Sequence, residues 1–201
     1  FLKLLFTYED KRFREHHGID PLSMGRAAVQ LVTRGQIISG GSTISMQVAR
    51  LLEPRERRSL GAKMRQIVRA LELESALGKD GVLALYLTLA PYGGNLEGVR
   101  AASLAYFGKE PRKLSLAEAA LLVALPQSPE LRRPDRFPTA ARAARDRVLD
   151  RAALAGLMPR DEIARAKTQP IPHERKPLPV LAPHSADQVV LLEPDRREHR
   201  L

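Results

Sequence analysis

Glycine and proline divide this chain into short apolar segments, and the period inside each one is that of a helix. Leu4, Leu5, Tyr8 and Phe13 recur at helical spacing between Leu2 and about Glu15, where His16, His17 and Gly18 break the run. Asp20 before Pro21 forms an N-cap and first-turn pair for a helix that carries Leu22, Ala28, Val29, Leu31 and Val32 and stops at Gly35. Ile44 to Leu52 is closed by Pro54, Leu60 to Leu77 by Gly78, and Gly98 to Phe107 by Gly108. A shorter helix fits Asp80 to Leu89, and Thr139 to Ala155 and Pro159 to Lys167 make a final pair. Ser115 and Glu118 form a capping box that opens an apolar helix through Leu125. No strand signal is strong and no repeat is evident. With aromatics at 4% and no Trp, a core of Leu, Ala, Val and Ile suits helix-on-helix packing, so the fold class is mainly α.

A chain of 201 residues holds one domain with a core of its own, expected over 1–169, and the Pro-rich polar stretch 170–201 reads as a linker or tail. The sequence begins at Phe1, and no run approaches the roughly 20 apolar residues that span a bilayer. It reads as a piece of a longer chain, with any anchor upstream out of view. The net charge of +10 favours a polyanionic partner: nucleic acid, an anionic membrane surface, or a phosphate-bearing substrate. Without Cys, disulfides and thiolate metal sites are excluded.

Three segments have the residue types that chemistry needs. Glu9 and Asp10, followed by Phe13, His16 and His17, could set a general base at the lip of a cleft, although the same residues also fit a solvated charged helix end. Adjacent His side chains do not converge on one metal ion without help from elsewhere. Gly40, Gly41, Ser42 and Thr43 before Ile44 supply backbone N–H groups and hydroxyls for a phosphate or sugar, or else form an ordinary turn. The Gly-Lys-Ser/Thr ending of a Walker loop is missing. Arg55, Arg57, Arg58, Lys63, Arg65 and Arg69 face a single acid, Glu56, and several of them could meet at a diphosphate or simply coat a solvated face.

In this order and spacing the segments resemble glycosyltransferase family 51. The family's first motif, Glu-Asp-x-x-Phe-x-x-His-x-Gly, then an apolar residue and Asp or Asn, is matched at Glu9, Asp10, Phe13, His16, Gly18, Ile19 and Asp20. The second is matched at Gly40 to Ser45 and at Gln47, with Met46 departing. Similar stretches follow at Leu85 to Leu87, Tyr92 to Gly94, Tyr106 to Lys109 and Leu125 to Pro129, so the likeness covers roughly residues 1–155. The third motif, usually Arg-Lys-x-x-Glu, reads Ala62-Lys63-Met64-Arg65-Gln66 here. Met46, Gln66 and Ala90 to Gly94 look most like the 1C branch of class A penicillin-binding proteins.

The resemblance implies a lysozyme-like helical fold with a large lobe and a smaller membrane-proximal lobe. It implies an inverting hexosyltransferase that polymerises lipid II into β-1,4-linked glycan strands with release of undecaprenyl diphosphate in cell-wall synthesis. The location implied is the outer, periplasmic face of the inner membrane. Partners would be lipid II, the nascent glycan strand and the membrane surface, with a downstream transpeptidase domain and other cell-wall synthesis proteins, and no nucleic acid. By motif match Glu9 is the base and Lys63 the second catalytic group; Asp10, His16, Gly41, Ser42, Thr43, Gln47, Arg58 and Gln66 are the substrate-binding set. The family's second carboxylate, which could work through a divalent cation such as Mg or Mn, is replaced by Gln66. Rival readings are a lytic transglycosylase or muramidase, a silent lipid II-binding scaffold, and a basic nucleic-acid-binding domain, the last of which leaves the Glu-Asp motif unexplained.

Overall fold

A computed structural model of the chain describes residues 1–35, 41–53 and 59–177. The helices are α1 Leu2–Glu9, α2 Pro21–Arg34, α3 Ile44–Leu52, α4 Leu60–Leu89, α5 Val99–Phe107, α6 Leu116–Ala124, α7 Pro138–Leu154 and α8 Arg160–Thr168. Single 3-10 turns, Pro111–Lys113 and Leu125–Gln127, flank α6. Among the described residues there is no strand, and isolated bridges pair His17 with Ile19 and Pro91 with Glu97. The chain is mainly α, as its segment periods predict.

Local chemistry sets most helix ends. Ser115 Oγ accepts from Glu118 N at 3.3 Å while Glu118 Oε2 accepts from Ser115 N at 2.7 Å, which completes the capping box. Ser23 N donates to Asp20 Oδ1 at 3.0 Å, the N-cap expected there. Gly78, at φ 66 and ψ 178, interrupts α4, so two helices meet in a kink where the sequence places a stop. α1 departs from expectation and ends at Glu9, well short of Glu15. Asp10 leaves the helix at φ −156 because its buried carboxylate finds its partners across the fold, and those outweigh another turn.

Two apolar clusters organise the packing. The larger gathers Leu4 and Leu5 of α1, the wholly buried face of α6, and Ala141, Ala144, Val148 and Leu149 of α7. The smaller holds Met46, Ala49 and Ala70, with Ile19 and Ile67 against it. α3 belongs to both: Ile44 and Val48, one turn apart, face the large cluster, while Met46 and Ala49 face the small one. Gln47 is left at the seam. Past Gln169 the chain stays packed, with Ile171 only 2% exposed and Lys176 N donating to Ala105 O at 2.6 Å. Of the stretch read as a tail, 178–201 lies outside the described residues.

Candidate active site

Glu9 is the last residue of α1 and stands half-buried at a cleft of about 850 Å³. Each of its oxygens accepts an amide N–H: Gln47 Nε2 donates to Oε2 at 2.9 Å and Gln127 Nε2 donates to Oε1 at 2.7 Å. Burial pushes the Glu9 carboxyl above its ordinary value, and the two amides with Arg151 and Arg132 oppose that rise. The result is a carboxyl raised above its ordinary value whose ionised form is hydrogen-bonded on both oxygens.

The rest of the first motif frames Glu9. Asp10 reaches the cleft wall, but its oxygens are committed: Oδ2 accepts from Ile44 N at 3.0 Å, and His16 Nε2 lies 3.0 Å from both. Lys79 Nζ is 3.4 Å from His16 Nδ1, so Lys79 donates to that nitrogen and the Nε2–H turns to Asp10. Lys79 also pairs with buried Glu74 at 2.7 Å, which accepts from Ser45 Oγ at 2.6 Å. Thr43 caps α3 by accepting from Met46 N at 3.1 Å and donates to Gly18 O at 2.6 Å. Asp20 is gripped by Arg12 and Ser23; burial alone would raise its carboxyl, and those hydrogen bonds outweigh it and hold the group well below the usual range.

On the α3–α4 side, Gly41 sits so close to α2 that a Cβ would lie 3.3 Å from Met24 Cα. Ser42 Oγ accepts from Lys63 Nζ at 2.9 Å. Gln66 bridges Lys63 to the α3 backbone: its Oε1 accepts from Lys63 Nζ at 3.1 Å and its Nε2 donates to Met46 O at 2.5 Å. Burial lowers the Lys63 ammonium below its ordinary value, and the Arg50 guanidinium lowers it further. Arg58 lies outside the described residues, together with Gly40, Arg55 and Arg57. Arg69 turns to Glu72 at 2.8 Å and does not line the cleft.

Among the described residues the cations that line the cleft are Lys11, Arg26, Arg50, Arg132, Arg147 and Arg151. Arg147 and Arg151 lie one turn apart on α7, a spacing visible in the sequence, but nothing local aims that face at Glu9. Arg151 is fixed by Tyr8, donating to its carbonyl at 3.0 Å with the guanidinium 4.7 Å above its ring. Gln127 falls in the Leu125 to Pro129 stretch that carried part of the family likeness, and its role shows only in the fold.

Among the described residues, position 66 supplies no charged ligand for a divalent cation. Position 66 offers an amide whose two ends are both taken, and among the described residues no group of His, Asp and Glu gathers to hold a metal.

Comparison with known proteins gives a consistent picture. The profile described as Transglycosylase matches residues 1–153. Penicillin-binding protein 1C of Escherichia coli (strain K12) is 49% identical over 183 residues, covering 91% of this chain and 24% of the relative. Penicillin-binding protein 1A of Pseudomonas aeruginosa is 37% identical over 171 residues, covering 85% and 21%. Penicillin-binding protein 1F of Bacillus subtilis (strain 168) is 38% identical over 141 residues, covering 70% and 20%. The chain thus spans a quarter or less of the length of these relatives.

Proposed function

This chain belongs to the transglycosylase family, and from that premise we propose that it polymerises lipid II into β-1,4-linked glycan with inversion at the anomeric carbon, Glu9 serving as the base. The observation that carries the reading is the setting of Glu9, with an amide N–H on each oxygen in a cleft lined by cations. Those donors favour the ionised form, which a base needs.

The donor is a growing strand held through its anomeric carbon to undecaprenyl diphosphate. The acceptor's GlcNAc 4-hydroxyl attacks that carbon from the opposite face and passes its proton to Glu9. As the new C–O bond forms, the bond from C1 to the phosphate oxygen breaks and its electron pair leaves with the diphosphate. A diphosphate departs as a stable anion, so no general acid is required, and fixed cations lower the barrier instead. Lys63 does not itself line the cleft but is held by Ser42 on the cleft wall and by Gln66, and in this reading it is the second catalytic group, acting on the leaving diphosphate beside Ser42. Asp10 and Asp20 are committed to the frame, which leaves Glu9 as the available carboxylate among the described residues of the cleft.

A muramidase fits less well. Glycosidases commonly use a second carboxylate, and the cations that line this cleft have no part in expelling a sugar alkoxide. Exposed apolar residues of α2, namely Leu22 at 69%, Val29 at 60% and Val32 at 86%, fall on one stripe and support work at the outer face of the inner membrane. Among the described residues no helix is long and apolar enough to cross a membrane. The deciding experiment is Glu9→Gln: polymerisation of lipid II should nearly vanish with unchanged melting temperature, and glycan synthesis at the parent rate would end the assignment.

A further inference from the structure

Gln127 meets Glu9 from the far end of the domain, 118 residues along the chain. It sits in the turn Leu125–Gln127 after α6, where its own side chain is exposed. A side-chain amide can face either way, and here Arg132 decides. Arg132 Nη1 donates to Ala124 O at 2.7 Å and to Gln127 Oε1 at 3.1 Å, while the Tyr8 hydroxyl lies 3.5 Å from the same oxygen. Flipping the amide would set its N–H groups against a guanidinium and its carbonyl against the Glu9 carboxylate, two repulsive contacts at once. Gln127 therefore presents Nε2 to Glu9 Oε1, while Gln47 of α3 holds Oε2.

We propose that Gln127, oriented by Arg132, is a positioning residue for the reaction: it anchors one oxygen of Glu9 in its ionised state and keeps the carboxylate aimed at the acceptor hydroxyl. The role rests on the reading of Glu9 as the base. An amide N–H donates to a carboxylate but meets competition from the proton of a carboxylic acid, so the contact weakens as soon as Glu9 is protonated. The other groups facing Glu9 are Arg151 from α7, Arg132, and the phenols of Tyr86 and Tyr92, which are buried behind it. Arg151 and Arg132 lower the Glu9 carboxyl, as the amides do, against the burial that raises it. Removing Gln127 takes away one of those opposing contributions, so Glu9 protonates at higher pH and the base is lost earlier on acidification.

The test is the pH profile of kcat for lipid II polymerisation by the purified chain, with Gln127→Leu, Gln127→Glu and Glu9→Gln measured beside the parent. Gln127→Leu should be about tenfold slower on the acid side, the size of one hydrogen bond to a charged group, and should approach the parent on the alkaline side. Gln127→Glu, nearly isosteric and therefore folded alike, brings a second carboxyl against Glu9 and should move the acid limb further in the same direction. A profile that keeps its shape in both variants, whether the rate drops uniformly or not at all, overturns the role of Gln127. A change confined to KM overturns it as well. If Glu9→Gln is inactive while both Gln127 variants keep the parent profile, the base reading stands and the positioning role falls. If Glu9→Gln polymerises normally, both fall.

Discussion

Lys63 shows how little a residue's charge says about its work until its neighbours are known. Its Nζ is shared between Ser42 and Gln66, and burial together with Arg50 lowers its ammonium below the ordinary lysine value. A group lowered in this way sheds its proton at lower pH than an exposed lysine, so its charge is present on the acid side and lost as pH rises. Polymerisation should therefore decline on the alkaline side earlier than an ordinary lysine would dictate, and Arg50→Gln should move that limb to higher pH. A limb that stays in place under Arg50→Gln would separate Arg50 from Lys63. Lys63→Ala should slow donor use by about a hundredfold, the usual loss for one preorganised electrostatic partner, with melting behaviour intact. Unchanged turnover would remove Lys63 from the site.

Among the elements, the junction of the first motif with α3 and α4 matters most. Gly18 sits at φ 66, and a Cβ there would come within 2.9 Å of the Leu71 backbone. Its carbonyl accepts from Thr43, the cap of α3. Both the positive φ and the close approach demand glycine. Gly18→Ala should cost on the order of 2–3 kcal/mol, read from denaturant unfolding, because the strain and the clash with the α4 backbone add. A cost below about 0.5 kcal/mol, the size of an ordinary surface change, would show that the junction yields easily. Gly18 reads in the sequence as the break of a helix that in fact ends at Glu9, and its role as a contact point between helices is not legible there, since Leu71 lies far along the chain.

At the scale of the whole molecule, the proposed work at a membrane surface would draw on the net charge of +10 and the apolar stripe of α2 together. In that proposal basic residues would draw the chain to an anionic surface, and exposed aliphatic side chains would gain free energy by entering it. Val29→Asp with Val32→Asp should weaken binding to anionic phospholipid vesicles at least about tenfold while leaving the fold intact, because both side chains lie outside the core. Unaltered cosedimentation would direct the search to another face. The stripe is readable from sequence as positions 22, 25, 29 and 32, yet the same pattern would fit a buried helix face, and burial depends on what packs beside it.

The helical class, nearly every helix stop, the capping box at Ser115 and the family likeness centred on Glu9 are all legible along the chain. All of these rest on information carried within a few residues: a period, a cap, a glycine able to take positive φ. Long-range packing set the rest: α1 ends at Glu9, Asp10 and His16 bond to each other within the frame, Arg69 turns to Glu72, and Gln127, Arg132 and Arg151 close on the Glu9 carboxylate. Those outcomes depend on how helices distant in the chain pack, and packing is set by the joint fit of many side chains rather than by any local run.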